Sequence, residues 1–444
     1  MKKIIAVLMA GMMTASVFAG CGGSGGSSGS SGSSASDTQS SADDGGAQVK
    51  DANLVDVSMF GEEDNISLKV WCAHKATGLV EKQIEEFKKA YPEKKFENIE
   101  VVAVGEGDAG TQMLNDASTA ADVFSFASDQ LNKLVGAKVI APVAFTKAVT
   151  EMNAETTVEA GTLDGTLYAY PQTNDNGYYL VYDKSVVSED KTGKLEDILA
   201  ACKDAGKKFI FDSGNGFYSC TYAFTAGVKI NGLEKDGVTQ KFTEYDEEEA
   251  VKTLQAFSKL MHDYSGTYTS LDVAQIASGF STGTLGAGID GSWNTAADKD
   301  ALKDNFGAAK LPTINVDGTD KQLVSLFGYK YIGVNAASKF PASAQILAYY
   351  LAGETCQQQR AEELGWGPSN KNVQQMDVVT KSDIQQAIKA QSENACVQVN
   401  IATTFWDPMA NLGNKLIADK TDPSDADYFK KLLQETIANI RDEG

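Results

Sequence analysis

Side chains that commonly carry out acid–base or metal chemistry are scarce or badly placed in this chain. Its only histidines are His74 and His262, so a site with three His ligands cannot form. Residues 279–283 match the GxSxG pattern of a nucleophilic serine, but no histidine follows them to complete the Ser–acid–His order. The 60 acidic residues make chance carboxylate pairs unavoidable, and no pair stands out as the acid and base of a glycosidase. The sequence therefore predicts no catalytic residue, no metal site and no cofactor.

Residues 105–110 (GEGDAG) match the GxGxxG pattern of dinucleotide-binding loops. They lie between a predicted strand and a predicted helix, which is the usual context of such a loop. The loop would have to bring backbone N–H groups against a pyrophosphate, and the carboxylates of Glu106 and Asp108 would repel that group. We interpret the segment as a tight turn between a strand and a helix and not as a nucleotide site.

The charge balance argues against two further classes of partner. Lys and Arg total 39 and Asp and Glu total 60, which gives a formal net charge of −21. An acidic surface opposes binding to the phosphates of nucleic acid, and it opposes adhesion to anionic lipid through a basic patch. The length of 444 residues is sufficient for two or three domain-sized units.

Strand and helix patterns alternate from about residue 66 onward. Val80, Ile84, Phe87 and Tyr91 recur at helical spacing, and Pro92 ends that pattern. The alternation predicts an α/β architecture with largely parallel sheets. Predicted strands are residues 67–71, 99–104 and 123–126, and predicted helices are residues 78–91, 111–121, 246–264, 342–352 and 425–440.

The first residues have the pattern of an export signal. Residues 1–20 contain two lysines, an apolar run too short to span a bilayer permanently, and then small residues. The sequence Phe-Ala-Gly-Cys at 18–21 resembles the lipobox of bacterial lipoproteins, which predicts that Cys21 carries lipid. Residues 21–65 are rich in Gly, Ser and acidic side chains and are expected to form a disordered tether. We therefore expect a lipoprotein on the outer face of the cytoplasmic membrane of a Gram-positive bacterium; a plain secretory signal is the alternative.

The remaining cysteines do not form a recognisable scaffold. Five follow Cys21, no two form a CxxC pair, and several spacings exceed 100 residues. At most two disulfides could form, and we expect mostly free thiols.

From residue 66 to about residue 440 the order of these features resembles the extracellular solute-binding proteins of bacterial sugar ABC transporters, of the maltose and maltodextrin-binding type. Each segment is moderately specific, and their order and spacing together are highly specific. The segments are LKVW at 68–71, ADVFSFASD at 121–129, LDGTLYAYP at 163–171, YLVYDK at 179–184, FSTGTLGAGIDGSW at 280–293, LP at 311–312 and GVNAAS at 333–338.

The resemblance implies a two-lobe periplasmic-binding-protein fold of type II with a ligand cleft between the lobes. It implies an N-lobe of residues 66–173 plus 324–366 and a C-lobe of residues 177–311 plus 372–444. The implied hinge crossings are residues 174–176, 312–323 and 367–371.

The resemblance also implies the residues that would hold a sugar, which needs aromatic rings for its C–H faces and polar side chains for its hydroxyls. Trp71 is expected in the core, His262 is expected to be structural, and Tyr329 and Lys330 are weaker candidates for the site. The predicted ligand-binding residues are Trp293, Trp406, Phe126, Asp129, Asp175, Asn176, Phe217, Tyr218, Lys75, His74 and Trp366.

The predicted function is that of a solute-binding component of an ABC importer. It would bind a neutral sugar, preferably an oligosaccharide such as maltodextrin, close its lobes on it and deliver it to permease subunits in the membrane. We expect a monomer that binds no nucleic acid. A non-sugar solute such as a polyamine is the first alternative, and a surface glycosidase is the second.

Overall fold

The structure is a computed structural model that describes residues 53–235, 237–418 and 421–441. The predicted export signal, the lipidation of Cys21 and the tether up to residue 52 lie outside the described residues. Within the described part, no helix has the length and apolar composition needed to cross a membrane.

Strands and helices alternate along the described chain, as the sequence predicts. The strands are β1 (Ile66–Cys72), β2 (Phe96–Ala103), β3 (Val123–Ala127), β4 (Thr162–Leu163), β5 (Thr166–Leu167), β6 (Tyr170–Asp183), β7 (Lys208–Ile210), β8 (Ile230–Leu233), β9 (Gln240–Phe242), β10 (Tyr268–Thr269), β11 (Leu285–Gly291), β12 (Phe306–Ala309), β13 (Thr313–Val316), β14 (Thr319–Gln322), β15 (Ser325–Val334) and β16 (Ala395–Val397). The helices are α1 (Thr77–Ala90), α2 (Ala109–Asn115), α3 (Leu131–Gly136), α4 (Thr146–Met152), α5 (Glu155–Ala160), α6 (Leu195–Asp204), α7 (Gly216–Thr225), α8 (Glu247–Asp263), α9 (Ile276–Ser281), α10 (Thr295–Leu302), α11 (Pro341–Leu351), α12 (Glu354–Leu364), α13 (Asp377–Thr380), α14 (Asp383–Ser392), α15 (Trp406–Ile417) and α16 (Ala426–Arg441).

One long strand, β6, belongs to two halves of the same sheet. Its residues from Tyr170 to Gly177 pair with β15, and those from Tyr178 to Asp183 pair with β11 and β12. The strand order is β10-β7-β11-β6-β15-β3-β1-β2, with β12 also beside β6 and β16 also beside β15. We call the half built on β1, β2, β3 and β15 the N-lobe, and the half built on β7, β10, β11 and β12 the C-lobe.

Each lobe has its own apolar core. In the N-lobe, Val70 of β1 packs with Phe87 of α1 and with Leu347 of α11. In the C-lobe, a larger cluster joins Phe209 of β7 and Leu254 of α8. The two cores are separate clusters of buried side chains, which divides the fold into two lobes.

The sheet is mixed, which corrects the prediction of largely parallel sheets. β1 is parallel to β2 and β3, and β7 is parallel to β10 and β11. However, β6 and β15 are antiparallel to each other, β15 is antiparallel to β3, and β6 is antiparallel to β11 and β12. The cause is that these two strands carry the chain between the lobes in opposite directions.

Three other predicted boundaries change. The tether ends before residue 65, because Phe60 is fully buried in the N-lobe core and Asn53 donates a hydrogen bond to the Tyr349 carbonyl. Residues 312–323 form the β13–β14 hairpin, whose Ile314 is buried in the C-lobe core, so this segment is not a free hinge. Helix α2 ends at Asn115 and not at 121, since the Asp116 carboxylate accepts hydrogen bonds in a turn.

The predicted core and thiol assignments are confirmed where they can be compared. Trp71 is buried in an N-lobe cluster. His262 lies in α8, where its Nε2 is 3.1 Å from the Ala418 carbonyl oxygen. Cys72, Cys202, Cys220 and Cys396 are buried free thiols, and Cys356 is also buried.

Candidate functional site

A cavity of about 600 Å³ lies between the two lobes and has walls from both. Its lining combines aromatic rings with charged and amide side chains. The lining residues are Ala73, His74, Lys75, Gly105, Glu106, Gly107, Ala127, Asp129, Asn176, Asn215, Phe217, Tyr218, Val273, Trp293, Lys330, Trp366, Gln398 and Trp406.

The N-lobe wall is formed by the loops that follow three parallel strands. β1, β2 and β3 run in the same direction, so the residues after each strand meet at one edge of the sheet. His74 and Lys75 follow β1, the segment Gly105–Gly107 follows β2, and Asp129 follows β3. The GxGxxG segment is thus a turn, as interpreted, but a turn that lines the cavity.

The C-lobe wall depends on two glycines that permit close approaches. A Cβ at Gly216, the first residue of α7, would lie 2.3 Å from the carbonyl oxygen of Trp406. A Cβ at Gly291, at the end of β11, would lie 2.3 Å from the ring of Trp293. Both indoles therefore reach the cavity because the backbone beside them carries no side chain.

The aromatic rings of the cavity are held by neighbouring rings. Trp293 packs against Phe217 with ring centroids 5.6 Å apart. Trp406 meets the buried Phe405 edge to face at 5.2 Å, so one part of its indole is fixed and another part faces the cavity. Partly exposed, supported rings of this kind present flat apolar faces to a solute.

Lys330 lies between two of the indoles. Its Nζ is 5.3 Å from the ring centroid of Trp293 and 4.7 Å from that of Trp366, which is the geometry of a cation–π contact. The carboxylate Oε1 of Glu106 is 3.9 Å from the same Nζ. That distance is too long for a hydrogen bond, and Oε1 of Glu106 is buried with no hydrogen-bond partner in the described part of the chain.

A chain of side-chain hydrogen bonds runs along the wall of the cavity. The Asn176 amide donates to the Gln398 side-chain carbonyl at 2.7 Å, and the Gln398 amide donates to Asp129 at 3.1 Å. Burial raises the pKa of Asp129 to about 6, and the nearby Lys133 opposes that shift. Asp129 is therefore a polar group held in place by a hydrogen bond from Gln398, and burial disfavours its charged form.

Two buried carboxyls lie behind Trp293. The carboxyls of Asp290 and Asp298 interact, and burial together with their mutual repulsion raises the pKa of Asp290 well above its usual range. Asn294 donates to Asp290 at 2.7 Å, and Lys75 of the N-lobe donates to Asn294 at 2.6 Å. This contact links the loop after β1 to the C-lobe.

Most of the predicted ligand-binding residues meet at the cavity. Those that line it are Trp293, Trp406, Asp129, Asn176, Phe217, Tyr218, Lys75, His74 and Trp366, together with the weaker candidate Lys330. Tyr329 does not line it and packs instead in an N-lobe core cluster.

Phe126 and Asp175 do not line the cavity, which corrects their predicted roles. Phe126 is fully buried against Phe124 and Tyr331, because residues two apart in a strand share a face and this face is the core side of β3. Asp175 points to the opposite face of β6 from Asn176, and its Oδ2 accepts a hydrogen bond from the Gly367 N–H at 2.5 Å. Asp175 thus links strand β6 to the chain segment at Gly367 through a hydrogen bond.

Several lining residues were missed by sequence reasoning. Glu106 was considered only as an obstacle to a nucleotide, although its loop follows a parallel strand and this position was the available signal. Asn215 is not among the predicted residues, and its side chain caps α7 by accepting from the Phe217 N–H. Gln398 had no sequence signal, because its place depends on the pairing of β16 with β15.

Metal chemistry finds no support among the described residues. They contain no group of three or more His, Cys, Asp or Glu side chains that could hold a metal ion.

Comparisons with known proteins match this chain to solute-binding proteins. A family profile described as bacterial extracellular solute-binding protein matches residues 82–393. The galactooligosaccharide-binding protein of Bacillus subtilis (strain 168) is 27% identical over 328 residues, which covers 71% of this chain and 76% of that protein.

Two solved structures with a similar fold are named as maltodextrin or maltotriose binding proteins. The maltodextrin binding protein MalE1 from L. casei BL23, without ligand, has a TM-score of 0.71 and 25% identity, covering 85% of this chain and 99% of that one. The Thermus thermophilus maltotriose binding protein bound with maltotriose has a TM-score of 0.70 and 21% identity, covering 84% and 99%. These likenesses confirm the predicted two-lobe α/β fold.

Proposed function

This chain belongs to the bacterial extracellular solute-binding protein family, as its sequence resemblance predicts, and we propose that its solute is a neutral oligosaccharide bound between the lobes. A maltodextrin is the preferred candidate. The relative from B. subtilis is named for galactooligosaccharides, which makes that class the second candidate.

The observation that carries this proposal is the combination of rings and polar groups in one cavity. Trp293, Trp366, Trp406 and Phe217 supply apolar faces, and Asp129 with its neighbours supplies hydrogen-bonding groups. Sugars present C–H faces together with many hydroxyls, so each sugar ring needs both kinds of partner. A cavity of about 600 Å³ has room for more than one ring.

A polyamine binder and a glycosidase are the alternatives. A polyamine would meet Lys75 and Lys330 as well as Glu106 and Asp129 in the cavity, so the lining offers it no excess of negative charge. A glycosidase would cleave the sugar, whereas a binding protein returns it intact, so analysis of the sugar after incubation separates the two.

In the proposed mechanism, the oligosaccharide contacts both walls and shifts the protein toward the closed arrangement of its lobes. Permease subunits of an ABC importer would then receive the sugar. We further propose that the protein acts as a monomer, held to the outer face of the cytoplasmic membrane through lipid on Cys21.

A thermal unfolding panel tests the proposal, with maltotriose, a galactooligosaccharide, glucose, spermidine and no ligand. A sugar at 100 times its Kd adds about 2.7 kcal/mol to the unfolding free energy, which raises Tm by a few degrees. We expect the rise with an oligosaccharide, its loss in Trp406→Ala, and its retention in the control Tyr428→Ala, which changes a ring on α16 outside the cavity. A rise with spermidine alone would refute the sugar assignment.

A further inference from the structure

Lys330 and Glu106 form a polar pair in the cavity, and Oε1 of Glu106 is buried with no hydrogen-bond partner in the described part of the chain. Both residues are buried in the protein, with 4% of the Lys330 surface and 9% of the Glu106 surface exposed. Their charged atoms are 3.9 Å apart, so the pair attracts but does not hydrogen-bond directly. Leaving a buried charged group without a hydrogen bond is costly, which means that the site is built to receive another polar atom.

The gap fits one hydroxyl group. A hydroxyl oxygen about 2.8 Å from both Nζ of Lys330 and Oε1 of Glu106 spans the measured separation with an angle of about 90° at the oxygen. A hydroxyl can accept from the ammonium and donate to the carboxylate at the same time, because it has one donor and two acceptor sites. A carbonyl oxygen cannot donate and an ammonium group cannot accept, so neither satisfies both partners.

The two indoles hold the ammonium of Lys330. Trp293 from the C-lobe and Trp366 beside the crossing at Gly367 are both within 6 Å of the Lys330 ammonium. The ammonium therefore cannot swing into solvent without giving up two cation–π contacts. It lies over the Trp293 ring, so a sugar hydroxyl bound by the ammonium is next to this ring.

We propose that one hydroxyl of the bound sugar bridges Lys330 and Glu106, and that this pair selects a sugar ring carrying a hydroxyl at that position. The inference rests on the proposed function, because it names how one ring of that oligosaccharide is recognised. Lys330 and Glu106 are thus specificity-determining residues contributed by strand β15 and by the loop after β2.

The test is a calorimetric double-mutant cycle with Lys330→Met, Glu106→Gln and the double variant. The probe is maltotriose or a galactooligosaccharide, whichever binds the unchanged protein. Each single variant should weaken binding about 10- to 100-fold, which corresponds to one charged hydrogen bond. The double variant should bind about as weakly as one single variant, because one hydroxyl uses both partners. Its loss of affinity should not equal the product of the two single fold-changes.

Matched controls are Lys389→Met, an exposed lysine on α14, and Glu100→Gln, an exposed glutamate on β2, neither of which lines the cavity. Both should bind within about twofold of the unchanged protein, since they leave the cavity wall intact. Circular dichroism and Tm identify any variant that fails to fold. If Lys330→Met fails to fold, the isosteric Glu106→Gln variant still tests the pair.

A second arm uses mono-deoxygenated forms of the same sugar. One of them should bind the unchanged protein about 10- to 100-fold more weakly and lose no further affinity in Lys330→Met. Near-unchanged affinity in folded Lys330→Met and Glu106→Gln would overturn this inference and leave the proposed function standing. Absence of binding by both sugars to the unchanged protein would instead overturn the proposed function.

Discussion

Asp129 is a cavity side chain whose burial destabilises the folded protein when its carboxyl is ionised. Its carboxyl is buried, and its amide contact from Gln398 only partly replaces the water that it has lost. A raised carboxyl pKa means that the folded state prefers the protonated form more than the unfolded chain does. The resulting penalty is absent below the unfolded pKa and fully present above the folded pKa.

Asp129→Asn should therefore make the protein more stable at pH 7.5, by about 1–3 kcal/mol, and should change its stability little at pH 4. The pH window follows from the shift of the Asp129 pKa from 3.8 to about 6. Urea unfolding of both proteins at the two pH values measures the effect. An equal stability difference between the two proteins at both pH values would show that ionisation of Asp129 does not cause the difference.

At this scale the sequence predicted ring positions better than polar partners. Trp293 and Trp406 could be placed because the segments around them resemble a known family. Phe126 and Asp175 were placed on the wrong face, since a strand alternates its side chains and a shift of one residue reverses inside and outside. Lys330 faces the cavity because of the register of β15 against β3 and β6, which a single sequence does not reveal.

Among the elements, the start of α7 decides how the C-lobe wall is built. Asn215 caps this helix through its side chain, and Gly216 then lets the backbone of Trp406 approach closely. α7 and α15 pack on each other, with Ser219 donating to the Met409 carbonyl at 2.8 Å. The position of the Trp406 indole thus follows from the contact between two helices.

Gly216→Ala should force these helices apart. The added methyl group would overlap the Trp406 carbonyl, so we expect a loss of about 1–3 kcal/mol in the free energy of unfolding, measured by urea denaturation, and weaker sugar binding. Gly78→Ala is the control, because Gly78 lies in the first turn of α1 and a methyl group there would have no neighbouring atom within 4 Å. It should be neutral or stabilise by up to about 1 kcal/mol. Equal effects of the two substitutions would contradict this explanation.

Elements with a clear local pattern were predicted to within a few residues. Helices α1, α8, α11 and α16 follow from apolar spacing and from their end signals, such as Asp246, which caps α8 by accepting from the Glu249 N–H. The β13–β14 hairpin was mistaken for a hinge, because its role depends on burial of Ile314 in a distant core. Local pattern predicts an element, but not which core it joins.

For the whole molecule, β6 and β15 are the parts that join two separately packed lobes. β6 changes partners between Gly177 and Tyr178, so this is the point where the N-lobe sheet continues into the C-lobe sheet. Asp175 holds the neighbouring crossing at Gly367, and Lys75 reaches Asn294 across the opening of the cavity. Contacts between the lobes thus lie at the strand crossings and at the cavity, where a solute that touches both walls would act on them.

Small-angle scattering should show whether the two lobes close when a sugar binds. We expect the radius of gyration to fall when a saturating oligosaccharide is added, because the solute favours the arrangement in which both walls contact it. A sugar that binds without any change in the radius of gyration would contradict lobe closure as the mechanism.

Calorimetric titration of the protein with maltotriose, a galactooligosaccharide and spermidine is the most direct test of sugar binding in this cavity. We predict that an oligosaccharide binds with a stoichiometry of about one, that spermidine does not bind, and that Trp293→Ala and Trp406→Ala each weaken sugar binding about 10-fold or more. Binding of spermidine alone, or sugar binding that both tryptophan variants leave unchanged, would contradict the assignment of this cavity to a sugar.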